Sequence, residues 1–142
     1  MSPVDRDIVI RKLERIVESL RLLEPMRELS VEEYGADVYR RKAIERLLQE
    51  VVESAVDLNA HLLVGSGEPA PDDLFTSFLA IGDLGILDRD LARSLAPSAG
   101  LRNRLVHEYD RIDDSIVLAA VRSALDLFPR YVASVERFAD GS

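Results

Sequence analysis

Cysteine is absent from this chain of 142 residues. That removes disulfides, thiolate nucleophiles and soft thiolate metal sites, and it is compatible with a reducing compartment. Lysine is nearly absent too: of 18 basic residues only Lys12 and Lys42 are not arginine. Glycine and proline are scarce, seven and six, which argues against fibrous and low-complexity classes. No run of 18 apolar residues is present, as a membrane-crossing helix would need. The opening "MSPVDRD" lacks the basic region and apolar stretch of an export signal, so the expected location is cytoplasmic.

What is present is a balanced globular composition, 47% hydrophobic and 31% charged, of a size suited to one domain spanning residues 1–142. The net charge is −8, from 26 acids against 18 bases. Diffuse attraction to nucleic acid is therefore unfavourable, and any such contact needs a local cationic patch.

Apolar residues follow a helical period. Val9, Leu13, Ile16, Leu20 and Leu23 alternate by four and three, with Asp5 as the expected cap and Pro25 expected to close or kink the helix near Glu24. "SVEE" at residues 30–33 has the form of a capping box. From Asp37 a broad stripe including Ile44, Leu48, Val51, Val52, Ala55 and Leu62 marks a central bundle helix, which ends at the loop "GSGEPAP".

A shorter helix follows Asp72 or Asp73 and should stop at Gly82 or Gly85. Asp88 begins another, and Pro97 and Gly100 leave two options for it, one kinked helix or two pieces. The last helix starts after Asp113, with a bend expected at Pro129. No period-two alternation persists. The expected fold is all-α, an antiparallel bundle of four or five helices.

The stretch "LRNRLVHEYD" concentrates Arg102, Asn103, Arg104, His107 and Tyr109. A histidine has an unperturbed pKa of about 6.5, so among these only His107 serves readily as both acid and base near neutrality. Cleaving RNA without a metal requires three groups: a base for the 2′-hydroxyl proton, an acid for the leaving 5′-oxygen, and a cation for the charged phosphorane. One chain offers one such histidine; a symmetric dimer offers two. On a helix Asn103 and His107 share a face, whereas Arg102 and His107 are five apart and diverge. The plain alternative is a polar helix end, with Arg102 or His107 paired to carboxylates and Tyr109 half buried.

"RNRLVHEY" resembles the signature of the HEPN superfamily in its HepT branch: arginine, four residues, histidine, any residue, tyrosine. The order of helices is similar over most of the chain. The resemblance implies an all-helical homodimer in which Arg102 and His107 of both chains line a shared cleft and cleave RNA as a metal-independent endoribonuclease. Asn103 would support the phosphate or the histidine. It further implies a toxin paired with MntA, a nucleotidyltransferase antitoxin that transfers AMP from ATP to the motif tyrosine, here Tyr109. ATP would then be the partner's substrate, and this chain would carry no cofactor. The competing reading is a non-catalytic helical dimer that binds such a partner, its acidic surface disfavouring RNA.

Other polar groups have simpler expected uses. His61 lies four after Asp57 and would form a pair on one helix face. Arg104 and Glu108 have the same spacing. Asp110, Asp113 and Asp114 suit helix capping better than a metal site. "GSGEPAP" lacks the lysine of a phosphate loop.

Overall fold

The computed structural model describes residues 4–107 and 112–141. Among them the regular elements are all helical: α1 (Arg6–Leu23), α2 (Val31–Ala36), α3 (Val38–Gly65), α4 (Leu74–Asp83), α5 (Arg89–Leu95), α6 (Ser98–His107) and α7 (Asp114–Gly141). Five of these are long enough to be bundle helices, as expected, and the short α2 and α5 join them.

Local chemistry sets the boundaries. The Asp5 carboxylate accepts from the backbone N–H groups of Asp7 and Ile8 and so caps α1. Pro25 closes that helix through a short 3₁₀ turn, Glu24–Met26. The capping box forms in full: Glu33 N–H donates to Ser30 Oγ, and Ser30 N–H donates to the Glu33 carboxylate, each at 3.1 Å. Those bonds hold the Glu33 carboxyl below its usual range. The Asp37, Asp73 and Asp88 carboxylates cap α3, α4 and α5 by accepting from first-turn backbone N–H groups.

The end of α4 needs a left-handed residue, and Gly85 supplies it at φ 81°. Ile86 N–H then reaches the Ile81 carbonyl at 3.1 Å, and Gly85 N–H reaches Gly82 at 3.0 Å. Gly82 has a different use. A Cβ there would lie 2.7 Å from Ala92 Cβ, so its missing side chain lets α4 approach α5. Pro97 divides the next segment into two helices, α5 and α6. Pro129 lies within α7, which continues past it.

One contiguous hydrophobic core joins α1, α3, α4, α5 and α7. Its aromatic centre is a triangle of edge-to-face rings, with Phe78 of α4 6.4 Å from Phe128 and 6.1 Å from Tyr131, and these two α7 rings 5.9 Å apart. The polar groups buried beside it are paired. Tyr131 donates its hydroxyl to Asn59 Oδ1 at 2.6 Å and lies 3.1 Å from the Ala55 carbonyl. Asn59 in turn donates to Ser77 Oγ, and Ser77 donates to the Leu74 carbonyl. This chain links α3, α4 and α7 through side chains that are wholly buried at Asn59, Ser77 and Tyr131. Burial pushes the Tyr131 phenol far above its ordinary value, so it stays a neutral donor. None of the helices of the described residues is long and apolar enough to cross a membrane.

Candidate functional site

The motif lies on α6, which differs from its neighbours in how little it buries. Ala99 is its one buried residue, with Leu101 and Leu105 partly covered against the core. The opposite face exposes Asn103, Val106 and His107. The helix repeat puts Asn103 and His107 one turn apart on that face. His107 is the last described residue of α6, and among the described residues its side chain has no hydrogen-bond partner.

Arg102 turns the other way, toward α3. Its Nη2 and Nε donate to one carboxylate oxygen of Glu53, at 2.6 and 3.2 Å. Its Nη1 donates to Asn103 Oδ1 at 3.3 Å. Glu53 is itself held from behind, because Gln49 Nε2 donates to its other oxygen at 3.2 Å. The two ion-paired side chains are 22% and 32% exposed, so water still screens them, and a pair of this kind adds about 0–1 kcal/mol to stability. Burial alone would raise the Glu53 carboxyl. The hydrogen bonds from Arg102 and Gln49, with the charges of Arg102 and Arg46, outweigh it and the net direction is down. Glu53 is therefore ionised at neutral pH.

Arg102 and Glu53 form part of the wall of a polar cleft of about 310 Å³ between α1, α3 and α6. Arg15, Arg46, Glu50 and Asp57 line it as well. Three arginines thus face three acids, and Arg46 is already bonded to Glu50 at 3.1 Å. The cleft supplies directional donors rather than a broad cationic surface.

The structure thus joins Arg102 to Asn103, leaves His107 exposed beside Asn103, and brings in Glu53 and Gln49, which sequence reasoning missed. Those two stand on the polar flank of the α3 apolar stripe, 49 and 53 residues from the motif's arginine. Nothing in their local sequence marks them. Tyr109 lies outside the described residues, as do Glu108, with its expected pairing to Arg104, and Asp110. Asp113 behaves as a helix-start acid: its carboxylate accepts from Ser115 N–H and Oγ–H, which holds its pKa down.

The expected Asp57–His61 pair does not form. Asp57 instead binds Lys12 of α1 at 3.2 Å, and His61 Nε2 accepts from the Asp5 backbone N–H at 2.9 Å. Both residues tie α3 to α1, each bonded to a tertiary partner and not to its one-turn neighbour. Among the described residues no group of three or more His, Cys, Asp or Glu side chains is placed to hold a metal ion.

Comparison with known proteins agrees with this fold. The profile of the family described as ribonuclease HepT-like matches residues 16–135. A tRNA nuclease HepT of Aphanizomenon flos-aquae is 36% identical over 140 residues, covering 97% of this chain and 94% of its own. An mRNA nuclease HepT of Shewanella oneidensis is 22% identical over 126 residues, covering 89% and 94%. Among solved structures, the tri-AMPylated Shewanella oneidensis HEPN toxin in complex with its MNT antitoxin superposes with a TM-score of 0.82 at 21% identity, covering 92% of this chain and 98% of that one. At that identity the likeness speaks for the fold. The profile match over most of the sequence and the full-length 36% relative decide the family: this chain belongs to the ribonuclease HepT-like family.

Proposed function

We propose that the protein is the endoribonuclease toxin of a toxin–antitoxin pair, that it cleaves RNA as a homodimer without metal, and that nucleotidylation of Tyr109 silences it. One observation carries the reading. On a single lightly buried helix, Arg102 bonds Asn103, and Asn103 shares its exposed face with His107, whose side chain has no hydrogen-bond partner among the described residues, within the sequence "RNRLVHEY". Family membership and the nuclease names of the relatives support it.

In this mechanism His107 of one protomer takes the 2′-hydroxyl proton as that oxygen attacks phosphorus. The bond from phosphorus to the 5′-oxygen breaks, and His107 of the second protomer, protonated, gives its proton to the leaving oxygen. Arg102 bonds the phosphoryl oxygens as charge develops on them, and Asn103 orients the phosphate or the imidazole. A second copy is required because one chain provides one such histidine.

The partner is an MntA-like nucleotidyltransferase antitoxin. The Tyr109 oxygen attacks the α-phosphorus of ATP, pyrophosphate leaves, and AMP remains on the phenol. The added phosphate then competes for the guanidinium that the substrate phosphate needs. That a related toxin was solved tri-AMPylated beside its MNT antitoxin supports this control.

The test is cleavage of total tRNA and of mRNA by the purified chain. His107→Ala should abolish it with the helical circular dichroism unchanged; undiminished cutting by that variant removes the mechanism. After incubation with ATP and the nucleotidyltransferase, mass spectrometry should find AMP on Tyr109, and modification elsewhere rejects the control step. A second reading, a non-catalytic dimer that only binds the partner, draws on the net charge of −8 and on the neutralised cleft arginines. It requires partner binding with no cleavage even at low salt, where phosphate contacts are strongest.

A further inference from the structure

We propose that Glu53, backed by Gln49, is a positioning residue for Arg102, fixing one edge of its guanidinium so that the opposite edge is presented to the phosphodiester. The inference rests on the ribonuclease reading above and adds a residue to it.

Arginine carries five N–H donors in a planar fork. In Arg102 the Nε–Nη2 edge is spent on a single Glu53 oxygen, and one N–H of Nη1 is spent on Asn103 Oδ1. Among the described residues three of the five are used, which leaves two, one on each terminal nitrogen. One N–H on each terminal nitrogen is the set with which a guanidinium grips a pair of phosphoryl oxygens. The Glu53 carboxylate is prevented from swinging by Gln49 on its second oxygen, one helical turn earlier. The side chain of Arg102 thus has a fixed plane, and its bond to Asn103 links it to the residue that shares a face with His107.

Attaching α6 to α3 does not account for this arrangement. Ala99, Leu101 and Leu105 already pack α6 against the core, and a partly exposed ion pair adds little to that. Nor does the pair help to attract RNA, since the carboxylate cancels charge where the substrate is anionic. What remains is geometry: a loosely held long side chain loses orientation that must be regained in the transition state.

This division predicts opposite effects on binding and on chemistry. Glu53→Gln keeps the shape and an acceptor but removes the charge. Single-turnover cleavage of total cellular RNA at saturating protein should fall by about tenfold or more. Affinity for labelled total tRNA, measured in the His107→Ala background so that nothing is cut, should be equal or tighter, because one negative charge is gone. Arg102→Ala and His107→Ala serve as the reference variants. If both lose cleavage while Glu53→Gln cuts at the original rate, the positioning role is wrong and the ribonuclease reading stands. If Glu53→Gln loses binding, rate and melting temperature together, Glu53 is a structural contact and the proposal is overturned. If Arg102→Ala cuts normally, Arg102 is not catalytic, and its step in the mechanism falls together with the positioning role. Arg102→Lys, which cannot offer the side-on fork, gives a last check. Adding Glu53→Gln to it should cost less than about twofold more, since coupled residues are non-additive, and a full further loss counts against the coupling.

Discussion

Two polar networks in this protein, one at the aromatic centre and one on α6, use similar groups to opposite ends. Around Phe78, Phe128 and Tyr131 the hydroxyl and amide contacts point inward: Tyr131 to Asn59, Asn59 to Ser77, Ser77 to the α4 backbone. On α6, Arg102 keeps two donors unspent among the described residues and His107 is exposed. The buried network must be closed, because an unpaired polar group in a low-dielectric core is costly. The α6 network can stay open because water satisfies it until a substrate arrives. Closure marks scaffold, and spare bonding capacity at a fixed position marks chemistry.

That contrast can be broken by substitution, with stability measured by denaturant unfolding. Phe78→Ala strikes the closed region hardest. It removes a wholly buried ring that touches two others, and should cost about 3–5 kcal/mol; a cost under 1 kcal/mol means the triangle does not organise the core. Tyr131→Phe keeps the ring but strips the donor from Asn59 and Ala55, and should cost about 1–3 kcal/mol; a neutral result shows that the buried network is dispensable. Val106→Ser, on the open face of α6, should shift the stability of a dilute single chain by no more than about 0.5 kcal/mol. A larger loss means that α6 is scaffold after all.

The helices were legible in the sequence because their signals are local. The apolar period from Val9 to Leu23 needs only one turn of helix to show itself, and so do Ser30–Glu33 and the aspartates that cap α1, α3, α4 and α5. Pro97 left two outcomes open, and the structure shows the division into α5 and α6. Asp57 and His61 show where local spacing fails: their one-turn relation was real, but Lys12 and the Asp5 backbone were nearer in space and took them.

By itself, then, the amino-acid order determined an all-helical bundle, its main boundaries, and the motif from Arg102 to Tyr109 with its family signature, since each depends on contacts a few residues apart. Tertiary structure alone decided that Glu53 and Gln49 meet Arg102, that His61 holds the start of α1, and that the motif helix lies lightly on the surface. The reason is one of range. Helical periodicity encodes which face turns inward, but a side chain's partner on another helix follows from how the packed helices align, and no short window of sequence carries that.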